Sequence, residues 1–197
     1  MPVFADYHRT VIGFHGTLLN KALSIVSGFE ELEASQNHHD WLGNGIYFWE
    51  YGPKQAWKWA RQRYPDPKAK IAVVAAMIRL GNCLDLVDPD NALMLRGMHD
   101  DMVEKRRRAK KKIPRNVRSR KYLDCAVMEH AYNVILRMDG VAVDSARAVY
   151  VPSGSEKQKR LWPSSWMSCD THIQICVRNR KNIFGCWLIR PTEGMER

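Results

Sequence analysis

Two short stretches hold the residue types that could handle a ligand. The run Val11–Thr17 is β-branched and apolar and ends in His15-Gly16-Thr17. An imidazole at a strand end can bond a sugar hydroxyl. A glycine beside it can bare its N–H and C=O to a ligand amide, because it has no Cβ. The same residues also suit a half-buried histidine satisfied within its own turn. In Gly43-Asn44-Gly45-Ile46-Tyr47-Phe48, two glycines lead into an aromatic strand. Backbone bared at the glycines would let a flat ligand lie on the Tyr47 ring, although ordinary core behind a turn fits as well. The dinucleotide-binding fingerprint is a different object: it needs a strand before its glycines and a helix opening on them. Here the strand follows.

A metal is a third chemistry to weigh. Cys169, His172, Cys176 and Cys186 have the residue types of a zinc series. On a strand, however, His172 and Cys176 stand about 13 Å apart at roughly 3.3 Å per residue. Ligands at about 2.0–2.3 Å from one zinc do not span that gap. No metal is therefore expected. Five cysteines at irregular spacing also do not form a disulfide framework, which points to a reducing compartment.

Charge supplies a fourth feature. Of 31 Lys and Arg, 11 fall between Lys105 and Lys121 with no acid among them, leaving 20 against 21 Asp and Glu elsewhere. The net charge of +10 is therefore one patch, the electrostatic footprint of a polyanion. The block has no aromatic before Tyr122, so it suits phosphate contact better than base reading. Lys105, Arg106, Arg107, Arg108, Lys110, Lys111, Lys112 and Arg115 are its expected nucleic-acid contacts. Trp162 and Trp166, in the loop Ser153 to Thr171, are candidates for base stacking or for anchoring that loop. An acidic protein, such as an antitoxin, would satisfy the block nearly as well.

The elements that must position these residues follow from pattern. Strands are expected over Val11–Thr17, Gly45–Trp49, Lys70–Leu80, Cys83–Asp88, Ala146–Val151, His172–Arg178 and Ile183–Arg190, with a break at Gly81-Asn82. A first helix should stop at Gly28, and Pro53 should open a second. Asp88-Pro89 reads as the cap of a long helix running through Lys112. Pro114 interrupts it, and a further helix ends at Gly140. Strands at both ends with helices gathered between them indicate an α+β domain rather than a doubly wound sheet. At 197 residues one domain is expected, with residues 89–138 as a basic helical insertion. The N-terminus shows no secretory pattern and no apolar run is long enough to span a bilayer, so no membrane role and a cytoplasmic location are expected.

"FHGT", then about thirty residues on "GNGIYF", then a helix of small and aromatic residues, resembles the diphtheria-toxin-like branch of the ADP-ribosyltransferases. That branch includes the poly(ADP-ribose) polymerases. "VAAMIRLGNCLDLVD" is similar to the family's central strand and turn, and "THIQICVRN" to the strand bearing its third motif. The resemblance covers most of the chain outside the basic insertion. It implies a split pair of small β-sheets with NAD⁺, the co-substrate, in the cleft between them.

On this resemblance, His15 would bond the adenosine ribose, Gly16 would hold the nicotinamide amide and Tyr47 would stack on the nicotinamide. Thr17, Gly45 and Ala56 would complete the NAD⁺ site. The third motif position falls on Gln174, where the family's pattern has a glutamate. With an uncharged amide there, single transfers rather than chain growth are expected, and Glu50 and Glu129 are the alternative carboxylates. The implied activity is mono-ADP-ribosyl transfer to a macromolecule, RNA before DNA, as in a toxin of a toxin–antitoxin or anti-phage system. Protein-directed transfer, or a pseudo-enzyme that binds NAD⁺ or nucleic acid, are the alternatives.

Overall fold

The computed structural model describes residues 6–151, 160–163, 165 and 167–189. Trp166 and about half of the Ser153–Thr171 loop lie outside the described residues. The chain orders as β1 (Asp6–Leu18), α1 (Leu19–Val26), β2 (Ile46–Glu50), α2 (Pro53–Arg63), β3 (Ile71–Asp85), α3 (Pro89–Arg108), α4 (Tyr122–Asp139), β4 (Ser145–Tyr150), β5 (His172–Val177) and β6 (Ile183–Ile189). Among the described residues the fold is α+β, with a six-stranded mixed sheet and four α-helices.

Local chemistry explains most of these boundaries. Gly28 takes φ +77° and Phe29 N–H returns to Ser24 C=O at 3.0 Å, closing α1. The Asp88 carboxylate accepts Asp90 N–H at 2.9 Å, and Pro89 opens α3. α3 stops at Arg108, before the Lys112 expected from pattern. Lys110 takes φ +51°, and its N–H and that of Lys111 bond back to Arg107 and Arg106 C=O at 3.0 and 2.8 Å. A lysine thus occupies the left-handed position that usually falls to glycine, which pattern reading does not foresee.

A second difference lies in β3. The break expected at Gly81-Asn82 does not end the strand. Gly81 turns with φ +63° and the strand runs on to Asp85. What changes there is the partner: β1 and β6 flank β3 along its first part, and Cys83–Asp85 run parallel to β4. Asp144 fixes the turn by accepting Asn82 N–H at 3.0 Å.

The resemblance implies two small sheets, whereas the strands pair into one set. The order is β1-β2-β5-β4-β3-β6, and a further β1–β3 ladder closes the first five into a circuit. Val11, Ile46, Phe48, Ile78, Leu80 and Ile175 form one apolar cluster supplied by four of those five strands. Gly13 is needed there, since a Cβ would lie 2.8 Å from that of Phe48. α2 covers Ile71 and Val73, and α1 covers Ala72 and Val74 on the alternate positions. α4 buries Met128, Ala131, Tyr132 and Ile135 against Leu84, Ala146, Ala148 and Cys176. It is therefore part of the core rather than an appendage.

Candidate functional site

β1 and β2 pair only at Gly13↔Glu50 and Phe14↔Trp49, and no further rung forms beyond Phe14. At the next residue the His15 ring spans the two strands, its Nδ1–H donating to Tyr47 C=O at 2.9 Å. A cavity of about 960 Å³ borders this point. That size suits a cofactor-sized ligand.

Period-two strands and a helical stripe build its walls. On β2, Tyr47 and Trp49 share a face, and on β5, His172 and Gln174 do. Register places Trp49 opposite Gln174 and Tyr150 opposite His172. α2 contributes Gln55, Lys58, Trp59, Gln62 and Arg63, one helical face by spacing. His15, Tyr47 and Gln174, far apart in sequence, thus line one cavity together with Trp41 and Trp59.

Each of the three is held by bonds that set its direction. Tyr47 Oη donates to Gly43 C=O at 2.8 Å and accepts Leu42 N–H at 3.0 Å. Burial raises its pKa far above the ordinary phenol range, so the hydroxyl stays protonated. For His15, burial lowers the pKa, outweighing the bond to Tyr47 C=O. The neutral ring donates from Nδ1 and keeps Nε2 as an acceptor, suited to a hydroxyl. Gln174 Oε1 accepts Trp41 Nε1–H at 2.6 Å, and its Nε2 lies 3.1 Å from His172 Nε2.

The remaining expected NAD⁺ residues build the wall rather than line the cavity. A Cβ on Gly16 would fall onto the Ala56 carbonyl, so this glycine admits α2 against β1. Ala56 is fully buried in that contact, and Thr17 is buried as well. On Gly45 a Cβ would lie 2.7 Å from Val177 C=O, so that glycine serves β2–β5 packing. In both places the physical need for glycine is close approach of protein backbone.

Neither alternative carboxylate lines the cavity. Glu50 is buried and accepts Arg147 Nε–H at 2.5 Å, with Asp85 on the other side of the same guanidinium at 3.1 Å. Glu129 accepts Asn44 N–H at 2.6 Å and Arg178 at 3.0 Å. Among the described residues, no three His, Cys, Asp or Glu side chains are grouped to hold a metal ion.

The basic block sits beside a second cavity of about 720 Å³ between α3 and α4. Lys105, Arg106 and Lys111 line it above the buried Met102 and Cys125. Arg107, Arg108, Lys110, Lys112 and Arg115 are exposed nearby. Two cations are partly neutralised by acids upstream of the block: Lys105 pairs with Asp101 at 2.7 Å and Arg108 with Glu104 at 2.8 Å. The block also reaches the first cavity, which Ser119 and Lys121 help to line. Between the cavities, His39 of the first meets Tyr122 of the second edge-on at 5.8 Å. Trp162 is about half exposed.

Sequence reasoning missed Trp41, Trp59, Tyr150 and His172 as cavity residues. The signal for His172 was its period-two spacing from Gln174, and for Trp59 its place on the Gln55–Arg63 stripe. Trp41 and Tyr150 arrive through loop path and strand register, which carry no local signature. In comparisons with known proteins, no family model, curated protein or solved structure matches this chain.

Proposed function

We propose that the chain is a mono-ADP-ribosyltransferase that consumes NAD⁺ and modifies a macromolecule, RNA in preference to DNA. The observation that carries this reading is the convergence of His15, Tyr47 and Gln174 on one cavity walled by Trp41, Trp49 and Trp59. In the proposed reaction the bond between nicotinamide and ribose breaks and its electron pair leaves with the nicotinamide. A nucleophile of the acceptor then bonds the anomeric carbon and gives up its proton.

The cavity suits that chemistry by orientation and electrostatics. Tyr47 offers a flat face, and Trp59, beside His15 and Trp49, a second one. His15 Nε2 accepts a ribose hydroxyl. Lys58, Arg63 and Lys121 bring positive charge for the two phosphates. Gln174 offers an amide to the reacting ribose without charge. Asp40 and Asp170 line the cavity, and the groups bonded to the Gln174 amide are Trp41 and His172. Slow, single transfers are the expected output.

The RNA preference rests on the block from Lys105 to Lys121, whose end lies at the rim of the first cavity. A phosphate backbone docked there leads toward the site of transfer. A toxin of a toxin–antitoxin or anti-phage system is the setting such a small enzyme suits. The test is to incubate the protein with NAD⁺ labelled in its ADP-ribose part and, separately, RNA, DNA and cell lysate. Label retained on RNA supports the reading. Label on lysate proteins regardless of nuclease treatment moves the target to protein, and label retained nowhere removes the transferase.

A further inference from the structure

We infer that His172 is a positioning residue: through its Nε2 it holds the Gln174 amide in one orientation, and taking up a proton reverses that hold. The effect on turnover rests on the proposed transferase reading. The hydrogen-bond directions rest on geometry alone.

Four groups stand in a row, and the two ends fix the polarity of the middle. The Trp41 indole N–H can only donate, so the Gln174 atom at 2.6 Å from it is the carbonyl oxygen. The amide nitrogen then faces His172 Nε2 at 3.1 Å. At the far end, His172 Nδ1 lies 2.6 Å from Asp170 C=O, which can only accept, so Nδ1 carries the proton. Neutral His172 is left with a bare Nε2, the acceptor that the Gln174 N–H requires. Each contact in the row pairs one donor with one acceptor, with no choice of assignment left. Without this row, an amide is free to turn over and present either end.

The surroundings hold the imidazole for this task. Tyr150 of β4 stacks on it at 4.9 Å, and Trp49 of β2 stands at 6.4 Å. The charges nearby are the Asp170 carboxylate, which precedes β5, and Lys58 of α2, 3.7 Å from that carboxylate. Asp170 favours the imidazolium, but burial outweighs it and lowers the His172 pKa. The neutral, accepting form therefore persists somewhat below the ordinary histidine range.

Protonation breaks the row. An Nε2–H would point at the Gln174 N–H, two donors face to face. Turning the amide over satisfies His172 but sets the amide N–H against the Trp41 N–H. Either outcome changes the atom offered to a ribose hydroxyl.

The test combines two readouts on the full chain. In ¹⁵N NMR of the wild type near neutral pH, His172 should show a protonated Nδ1 and a bare Nε2. The Gln174 side-chain amide signals should shift in step with the His172 titration. In turnover, His172→Phe keeps a ring on Tyr150 and removes the acceptor. It should lower kcat roughly five- to tenfold, the worth of about one hydrogen bond, leave KM for NAD⁺ nearly unchanged, and lose the part of the acid limb of the pH profile that His172 contributes, the part due to His15 remaining. His172→Gln, which restores an acceptor, should recover part of the rate. An Nε2–H tautomer at neutral pH overturns the inference, as does a His172→Phe variant with wild-type turnover and an unchanged acid limb. If the wild type neither binds nor turns over NAD⁺, the transferase reading alone falls, and the NMR signals still decide the role of His172.

Discussion

Removing one oxygen from Tyr47 separates its two jobs. In Tyr47→Phe the ring remains in the cavity wall, but the hydroxyl bridge to the Leu42–Gly43 turn is gone. Gly43 C=O keeps a weak donor, the Cys176 thiol at 3.7 Å. Leu42 N–H, in a fully buried residue, loses the acceptor it had in Tyr47 Oη. One orphaned buried donor costs about 1–3 kcal/mol. For a domain of this size, about 2–4 °C of Tm follows each kcal/mol, so a fall of roughly 2–12 °C is expected. The ligand face is untouched, and NAD⁺ affinity should change less than about twofold, under 0.5 kcal/mol. Tyr47→Ala removes the face too, and should weaken NAD⁺ by about 1–3 kcal/mol, by analogy with base–aromatic stacking. Thermal unfolding and calorimetric titration with NAD⁺ measure the two separately. A Tyr47→Phe protein as stable as wild type refutes the hydroxyl bridge, and equal affinity loss in Phe and Ala variants refutes the ring as a platform.

Four further outcomes are expected. Arg147→Met removes the cation between the buried Glu50 and Asp85 carboxylates, leaving Glu50 with the half-exposed Arg9 at 3.5 Å, and should cost about 3–5 kcal/mol in chemical denaturation. Glu50→Gln, by contrast, should lower stability while leaving turnover of the folded protein intact, because Glu50 lies outside the cavity. Salt should weaken RNA binding with a log–log slope near −4 if about half the 11 block cations engage single-stranded phosphates, and replacing Arg106, Arg107, Lys110 and Lys111 with Gln should flatten it in filter binding. Finally, His15 and His172 both have native pKa values below the 6.5 of an unfolded histidine. The unfolded chain then binds more protons below that value, so their contribution to stability is complete above pH 6.5 and declines as pH falls through the native values. Urea titrations at a series of pH values would show it, and a stability that rises from pH 7 to pH 5.5 contradicts the assignment.

Helix ends, the aromatic strand and the α+β order were legible because short-range chemistry decides them. Gly28, Pro53, Asp88 and Gly140 all act where pattern places them. The closed strand circuit was not legible, because β1 meets β3 and β2 meets β5 through pairings that no local residue announces. The candidate site divides in the same way. His15 and Tyr47 stood out by motif, and Gln174 by resemblance. Gly16 and Gly45 stood out equally, yet they serve packing: a glycine reports that something comes close, without saying whether it is a ligand or the chain itself. The end of α3 failed for a related reason, since Lys110 adopts a backbone conformation that its side chain does not advertise.

The uncharged Gln174 poses a question of electrostatics under the proposed reaction. A developing positive charge on ribose is stabilised most by a carboxylate in a dry site, because low dielectric magnifies the attraction. A carboxylate placed between Trp41 and His172 would keep the indole donor but set a second acceptor against the bare Nε2 of His172. That arrangement becomes favourable only when His172 takes a proton, and the imidazolium then offsets the charge just gained. Glutamine satisfies both neighbours with no proton moved. In its place, the faces of Tyr47, Trp49 and Trp59 offer a diffuse negative potential. Gln174→Glu should therefore raise the His172 pKa, visible in its ¹⁵N titration, and bring little gain in turnover. A large gain with His172 still neutral would show that the amide, and not the pairing behind it, limits the rate.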